Sequence, residues 1–530
     1  MLKSIGVKNF RSLKEINICK KNVVDLKPLT MLLGKNSSGK SSFLRLFPLL
    51  KQSVSSRTRG VLAFFGDEVD FGDFDTTVSH ESQEKKNDYI ELVFFGCLDK
   101  LFNPYIFLSK RTPSSNESES SVVSYEINMK VQFDKKQDIS YISYLSLKIY
   151  DNTITFAVEK NGTLKSFVVN GKNYIKDLKN IRVHYGVRRL GFPYFIEGDD
   201  IGSLSSPFLN LVKGKTGSTE PYSFREFSFF HECSLDWKDN IKKYFSKKRN
   251  ISNKLFQKSV KEAISDENLF DDFYNKFVLF RFEEIYESII TDLCDVFQNV
   301  SYSKPLRANA DRYYRSRFLS ANEVNSDGSN LVDFFANLNE SQQENLKIWM
   351  KDNFGFWYSI ENSEGHKSIY IHECIKESEN QEEVMHNITD MGFGFSQILP
   401  VVTQLWALIR NKRQQRNYRG SKANFIYAIE QPELHLHPAM QCKLFNSIAK
   451  VIDVAKQQNV LINFVIETHS ETIINQIGRL IRRKKLSNED TSVLIFSKEK
   501  PNLFTDIKPT PFDEEGKLEE WPVGFFGEEL

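Results

Sequence analysis

The segment from Gly34 to Ser42 has residue types and a spacing that suit the binding of a polyphosphate. It reads Gly-Lys-Asn-Ser-Ser-Gly-Lys-Ser-Ser and so contains the pattern Gly-x-x-x-x-Gly-Lys-Ser. The two glycines let the backbone turn tightly and bring its N–H groups onto phosphate oxygens. The lysine can reach the β- and γ-phosphates, and the serine after it can give its hydroxyl to Mg²⁺. The pattern therefore predicts a P-loop for a nucleoside triphosphate and Mg²⁺. Its predicted nucleotide-binding residues are Gly34, Asn36, Ser38, Gly39, Lys40, Ser41 and Ser42, and Ser41 is also a predicted metal ligand.

A P-loop needs a strand before it and a helix after it. The run from Leu29 to Leu33 is apolar, which is typical of a buried strand, and a helix is predicted from Ser41 to about Gln52. The amino terminus of that helix adds partial positive charge beside the loop. The alternative is a Gly/Ser loop that binds nothing, and both flanking elements argue against it.

A second stretch, residues 424–438, predicts a buried strand that ends in acidic side chains. Glu430 stands at the end of the apolar run and can hold Mg²⁺ through water. Gln431 follows it; a glutamine cannot take up a proton at pH 7, although it can orient an attacking water. Glu433 keeps a carboxylate two positions further on. We therefore expect Glu430 to be a metal ligand, whereas catalytic roles for Gln431 and Glu433 are implied only by the family resemblance described below.

A glycine-rich turn before a further predicted helix could form a second phosphate site. Gly392 and Gly394 allow close backbone approach, and the Ser396 hydroxyl can bind phosphate at the start of the helix that runs toward Arg410. The alternative is a capped helix after a glycine turn. These three residues are predicted nucleotide ligands.

Several segments resemble one superfamily of ATPases. Residues 7–13, Val-Lys-Asn-Phe-Arg-Ser-Leu, resemble the opening of SMC, RecF and OLD type ATPases, and residues 300–314 resemble a stretch found in a subgroup of them. Residues 388–402 resemble the degenerate ABC signature, and residues 424–438 resemble Glu-Glu-Pro-Glu-x-His-Leu-His-Pro, with a departure at Gln431. The chain is thus identified as a member of the ABC-type, SMC-like ATPases of the OLD-like AAA15 group, with a short DUF3696-type C-terminal tail.

The resemblance implies an α/β fold with a P-loop ABC-ATPase head, in which helices flank a mixed sheet. From 88 to about 170, short β-rich runs, among them 105–108, alternate with polar turns, which predicts an antiparallel β subdomain. Apolar residues at helical spacing from 222 to 299 predict a mainly helical insertion. The expected domains are residues 1–221 and 300–530 for the two parts of the head and 222–299 for the insertion. The expected cofactors are ATP and Mg²⁺. In this superfamily His469 would be the catalytic switch histidine, and Ser396 would meet the P-loop of another protomer. Turnover is expected to be slow because Gln431 replaces the usual glutamate.

The resemblance also suggests a role and partners. The chain is similar to the ATPase subunit of Septu and retron-associated antiphage systems, which pairs with an HNH nuclease. We therefore expect a homodimer or higher oligomer around ATP that regulates an effector nuclease. Two alternatives stand: a RecF-like DNA-repair ATPase that loads on DNA, and a scaffold in which ATP is only structural. We expect no Toprim nuclease domain of the OLD type, because such a domain needs more than the 61 residues given after His469 (530 minus 469).

Composition limits these functions only broadly. Lys+Arg 71 and Asp+Glu 69 nearly balance, so only local clusters could bind DNA or RNA. Such clusters lie at 238–254, 410–422 and 479–485, and each could equally be a solvated helix end. Six scattered cysteines, the lack of a signal peptide and the lack of an apolar run of about 20 residues predict a cytoplasmic protein with no membrane partner.

Overall fold

The computed structural model of the chain describes residues 1–15, 23–56, 60–79, 89–98, 122–178, 181–185, 189–196, 204, 207–208, 237–247, 254–307, 310–315, 323–363, 365–374, 383–410, 424–498 and 504–520. The helices in these residues are α1 (Lys40–Leu44), α2 (Leu46–Ser55), α3 (Phe74–Thr77), α4 (Lys238–Lys247), α5 (Lys254–Ser265), α6 (Glu267–Gln298), α7 (Leu331–Ala336), α8 (Glu340–Phe354), α9 (Phe393–Arg410), α10 (Pro438–Gln457) and α11 (Glu471–Arg482). The strands are β1 (Leu2–Phe10), β2 (Leu13–Glu15), β3 (Val24–Asp25), β4 (Leu29–Gly34), β5 (Ile90–Leu98), β6 (Val123–Asp134), β7 (Ile139–Ile149), β8 (Asn152–Val158), β9 (Leu164–Val169), β10 (Lys172–Asn173), β11 (Arg182–Tyr185), β12 (Pro193–Ile196), β13 (Val300–Ser303), β14 (Tyr314–Arg315), β15 (Phe356–Ser363), β16 (His366–Cys374), β17 (Glu383–Asn387), β18 (Asn424–Glu430), β19 (Leu461–Glu467), β20 (Thr491–Ser497) and β21 (Asp506–Pro509).

The chain forms two compact units, each assembled from three separate segments. The first consists of Met1–Lys8, Ser53–Ala63 and His80–Cys294, and the second of Asn9–Gln52, Phe64–Ser79 and Asp295–Leu530. Of the predicted domain boundaries, residue 221 lies outside the described residues, and residue 299 lies between the end of α6 and the start of β13. The predicted boundaries themselves stay a prediction.

A mixed sheet in the order β13-β18-β19-β4-β20-β21 organises the second unit. Its strands are parallel except β21, which runs antiparallel to β20. All residues of β4 and β18 are buried, as expected for parallel strands covered on both faces, and this explains their continuous apolar runs. The register pairs Glu430 with Glu467 and Glu467 with Leu32, so the carboxyl ends of three neighbouring strands meet at one edge.

Helices α8 to α11 supply buried apolar side chains to the core of this unit. Helix α11 illustrates why they form, because its buried residues recur three and four positions apart along one face: Ile473, Ile474, Ile477, Leu480 and Ile481. Full burial of such a side chain is worth about 1.5–3 kcal/mol. The Ser470 hydroxyl caps the helix by accepting a hydrogen bond from the backbone N–H of Ile473 at 3.3 Å.

The first unit contains an antiparallel sheet in the order β10-β9-β8-β7-β6-β5-β1. Strand β8 alternates buried and less buried residues, which is the pattern of a sheet with one covered face. The long helix α6 packs on that face: the Phe282 ring lies 5.1 Å from the Phe167 ring and 6.2 Å from the Phe156 ring, measured between centroids. The predicted antiparallel β subdomain is therefore present, and the described part of the 222–299 segment is helical.

The predicted α/β class, with a mixed sheet, flanking helices and an antiparallel subdomain, is confirmed. A strand expected at 105–108 falls outside the described residues, and the P-loop helix is two helices, α1 and α2, rather than one. Pro48 accounts for the interruption, because its ring nitrogen cannot donate to the carbonyl of Leu44. Among the helices of the described residues, none combines the length and apolar character that a membrane crossing needs.

Candidate nucleotide site

The P-loop leaves the carboxyl end of β4 and contains two glycines at which a side chain would be strained. Gly34 has φ +145°, and a Cβ there would lie 2.2 Å from the backbone oxygen of Phe496. Gly39 has φ +104°, and a Cβ there would lie 2.4 Å from Thr505 Oγ1. Thr505 Oγ1 in turn donates to the Ser38 carbonyl at 2.7 Å. The predicted turn is therefore fixed by close packing on both sides.

Lys40 lies inside this loop and is almost completely buried. Its Nζ donates to the carbonyl of Gly34 at 2.7 Å and to that of Lys35 at 2.9 Å, and it lies 3.8 Å from Glu467 Oε1. Burial lowers the pKa of the Lys40 ammonium, and the nearby carboxylate of Glu467 opposes that shift. A cation held by loop carbonyls is well placed to exchange those oxygens for phosphate oxygens.

Glu430, the predicted metal ligand at the end of β18, is already engaged by two side chains. Arg45 donates from Nε to Oε1 at 2.7 Å and from Nη2 to Oε2 at 2.8 Å. The Tyr302 hydroxyl donates to Oε1 at 2.6 Å. Burial and the neighbouring carboxylate raise the pKa of the Tyr302 hydroxyl well above its usual range, so it stays a donor. The charge of Glu430 is thus neutralised by Arg45, and its role as a metal ligand stays a prediction.

Glu467, at the end of β19, is a residue that sequence reasoning missed. It is 2% exposed, lies between the Glu430 strand and the P-loop strand, and contacts the side chains of Lys40 and Ser41. Burial raises the pKa of its carboxyl, while the hydrogen bond from Ser41 and the charge of Lys40 oppose the rise. The signal that could have revealed it is a charged residue closing an apolar strand, the same signal that identified Glu430.

The three predicted catalytic residues gather at the same sheet edge. Gln431 has φ +42°, and its backbone N–H donates to the Glu467 carbonyl at 2.9 Å. Glu433 Oε1 accepts from the backbone N–H of His469 at 2.7 Å, and His469 Nε2 lies 3.9 Å from Glu467 Oε1. Burial raises the pKa of the Glu433 carboxyl, whereas burial and the charge of Lys40 lower the pKa of His469. A half-buried carboxyl with a raised pKa and an imidazole with a lowered pKa therefore stand beside the P-loop lysine. Their catalytic roles stay a prediction.

The glycine turn before α9 carries the predicted second phosphate site. Gly392 has φ +74°, and a Cβ added there would meet no atom within 4 Å, whereas a Cβ at Gly394 would lie 3.1 Å from the His435 carbonyl. Ser396 is buried, and its Oγ donates to the Phe393 carbonyl at 2.8 Å. In this chain its hydroxyl therefore bonds back to the first residue of its own helix. Its contact with the phosphate of another protomer stays a prediction.

Arg307 links this helix to the Glu430 strand and was also missed. The Arg307 backbone N–H donates to Gln397 Oε1 at 3.0 Å, and the Gln397 side-chain amide donates to the Arg307 carbonyl at 3.1 Å. Arg307 Nη2 donates to the Glu430 carbonyl at 3.4 Å. The guanidinium is buried, and its Nε and Nη1 have no partner within the described residues. Burial lowers its pKa. Its only sequence signal is the resemblance of residues 300–314 to a family stretch.

The basic clusters predicted as nucleic-acid contacts are only partly described. Residues 411–423 lie outside the described residues. In the first cluster Lys238 pairs with Asp271, and in the third Arg482 Nε donates to the Glu515 carbonyl at 3.1 Å. The members of the third cluster are exposed around the carboxyl end of α11, where cations are favoured by the helix dipole: Arg479, Arg482, Arg483, Lys484 and Lys485. A nucleic-acid contact stays a prediction.

A phosphate loop after a buried strand, with carboxylates closing the two neighbouring parallel strands, places the chain in the class of P-loop nucleoside triphosphatases. A family model described as AAA ATPase domain (AAA_15) matches residues 1–474, and the chain belongs to this family. A second model, described as a protein of unknown function (DUF3696), matches residues 486–530. No curated protein matches the chain.

Two similar solved structures are of the recombination mediator protein RecF in the RecFOR pathway. The RecF-ATPrS structure is 12% identical, covers 96% of this chain and 98% of its own, and has a TM-score of 0.26. The RecF-ATP structure is 12% identical, its match covers 89% of this chain and 92% of the RecF chain, and the TM-score is 0.23. TM-scores this low do not support a comparison of the folds. The family and the P-loop make the chain an ATP-binding ATPase.

Proposed function

We propose that this chain is a slowly hydrolysing, Mg²⁺-dependent ABC-type ATPase that dimerises around ATP and regulates an effector nuclease in prokaryotic antiphage defence. The observation that carries the proposal is the composition of the sheet edge beside the P-loop. Lys40 and Ser41 belong to the P-loop, whereas the position after Glu430 holds Gln431 and the Glu430 carboxylate pairs with Arg45. Such a site suits tight nucleotide binding with weak activation of water.

Slow hydrolysis suits a switch. General-base catalysis typically contributes about 10² to 10⁴ in rate, so its loss leaves a long-lived ATP-bound state while binding by the P-loop is intact. A dimer closed by ATP would then persist until a trigger disturbs it. The exposed Phe393 ring, 59% accessible next to the open turn at Gly392, supports a protein contact at the second phosphate site.

The RecF-like alternative would show a different dependence on nucleic acid. DNA should accelerate ATP hydrolysis by a repair ATPase that loads on DNA, with a strong dependence on salt. A regulator of an effector nuclease should respond to its protein partner instead. A neighbouring gene for an HNH nuclease or a reverse transcriptase would favour defence.

The direct test is a titration with ATP, with and without Mg²⁺, on the wild-type chain and on Lys40→Ala. We expect Lys40→Ala to abolish measurable binding, because within the described part of the loop this ammonium is the buried cation, held by the carbonyls of Gly34 and Lys35, that could meet the phosphate charge. Lys35→Ala is the matched control: it removes an exposed charge from the same loop and should lose far less affinity. Unchanged affinity in Lys40→Ala would place the nucleotide elsewhere.

A further inference from the structure

One carboxylate oxygen of Glu467, next to the P-loop lysine, has no hydrogen-bond donor within the described residues. Glu467 is 2% exposed, and its Oε2 has no hydrogen-bond partner within the described residues. A buried carboxylate oxygen in this condition is costly unless a ligand satisfies it. Around the carboxylate lie Lys40 Nζ at 3.8 Å and His469 Nε2 at 3.9 Å from Oε1, and the Ser41 hydroxyl. The unsatisfied oxygen therefore lies beside the residues assigned to phosphate and Mg²⁺.

Glu430 offers less to a cation than Glu467 does. Both of its oxygens accept from Arg45, at 2.7 and 2.8 Å, and Oε1 also accepts from Tyr302 at 2.6 Å. A Mg²⁺ ion, or water bound to it, would compete with a bidentate charge-assisted pair there. Glu467 has the same depth in the sheet, because the register pairs it directly with Glu430, but it lies one strand closer to the P-loop.

The donor chemistry also fits a divalent cation that arrives with nucleotide. Mg²⁺ prefers oxygen ligands and usually keeps several waters, so a hydroxyl, one carboxylate and phosphate oxygens are sufficient. No group of three or more His, Cys, Asp or Glu side chains that could hold a metal occurs in the described residues, so the protein does not offer a complete cage in that part. One carboxylate next to Ser41 is the contribution such a site needs.

We propose that Glu467 and Ser41 are the protein's ligands for the divalent cation that accompanies ATP. Glu430 then has a structural role: through Arg45, which follows α1, and Tyr302 it connects the end of β18 to its neighbours. This inference rests on the proposed nucleotide site and assigns the metal to a different carboxylate within it. A metal-binding Glu467 and a purely structural Glu467 predict different effects on ATP affinity. Glu467 should strengthen binding of metal-bound ATP and, through repulsion of the phosphates, weaken binding of metal-free ATP.

The test compares ATP affinity in Mg²⁺ and in EDTA for the wild type and for Glu467→Gln. We expect Glu467→Gln to reduce the enhancement by Mg²⁺ about 10–100-fold, the range usual for loss of a group that supports a metal. Affinity for ATP in EDTA should stay equal or increase. Glu430→Gln should change the enhancement less, and Glu471→Gln, which removes an exposed carboxylate at the start of α11, controls for the loss of one charge.

A readout independent of affinity comes from Mn²⁺ and electron paramagnetic resonance. With adenylyl imidodiphosphate the wild type should bind one Mn²⁺, and Glu467→Gln should bind it weakly. Ser41→Ala should give a similar loss, and the double variant should lose little more, because both side chains would act on one ion. Glu467→Asp keeps the charge and should bind Mn²⁺ more tightly than Glu467→Gln does. It replaces Glu467→Gln in this experiment if that variant does not fold.

The outcomes separate the two proposals. If the wild type binds ATP with a strong Mg²⁺ dependence that Glu467→Gln retains and Glu430→Gln loses, the metal assignment is wrong and the nucleotide site stands. Equal changes with and without metal would make Glu467 only a counter-ion of Lys40, which also overturns the assignment. If the wild type does not bind ATP, the proposed function itself fails.

Discussion

Replacing Gln431 by glutamate tests why this ATPase should be slow. The residue follows Glu430 at the end of β18, and its backbone is fixed by φ +42° and by the 2.9 Å hydrogen bond from its N–H to the Glu467 carbonyl. The substitution is nearly isosteric, so it adds a carboxylate without a reason for the backbone to move. Any change in rate should therefore report on the added base.

The size of the effect follows from the surroundings. A general base is worth about 10² to 10⁴ in rate, or roughly 2.7–5.5 kcal/mol of barrier. Gln431 follows Glu430 directly in the chain and its backbone bonds to Glu467, so a carboxyl added there would meet like charge, which raises its pKa. Since it must lose its proton to act as a base, we expect a gain near the lower end, about 10²-fold at pH 7, that increases toward pH 8.

The assay is phosphate release at saturating ATP and Mg²⁺, together with single-turnover measurements that separate chemistry from product release. Gln431→Ala is the control that lacks both the amide and a carboxylate. If Glu433 already serves as the base, Gln431→Glu should change little and Glu433→Gln should stop the residual hydrolysis. Fast wild-type turnover that neither substitution affects would refute this reasoning and, with it, the proposal of a nucleotide-locked switch.

Two other substitutions probe the dimer and the loop. Ser396→Arg places a large side chain at the buried start of α9 and should abolish the ATP-linked increase in mass seen by light scattering; undiminished association would contradict a second phosphate site there. Gly34→Ala should destabilise the chain by about 2 kcal/mol or more in thermal or urea unfolding, since its Cβ would meet the Phe496 carbonyl at 2.2 Å in a strained conformation. Gly365→Ala, at φ +83° with nothing within 4 Å, carries only the conformational strain, so equal losses in the two variants would show that the clash is relieved.

Local patterns in the sequence determined the P-loop, the apolar strands and the acid at the end of β18. This was possible because a P-loop is built from consecutive residues and because parallel strands buried on both faces must be continuously apolar. Local patterns also predicted the antiparallel subdomain, whereas the mixed sheet was implied by the family resemblance; the structure confirms both. It did not predict the break after α1, although Pro48 marks it.

The tertiary structure alone decided which charges meet. Arg45 and Glu430 are 385 positions apart, yet they form the bidentate pair that neutralises the predicted metal ligand. Glu467 reaches Lys40 only because β19 pairs with both β18 and β4, and strand order cannot be derived from a local pattern. Charge interactions depend on distance and burial rather than on sequence spacing. Motifs therefore located the nucleotide site, whereas the state of its acids depended on the packing of strands distant in the chain.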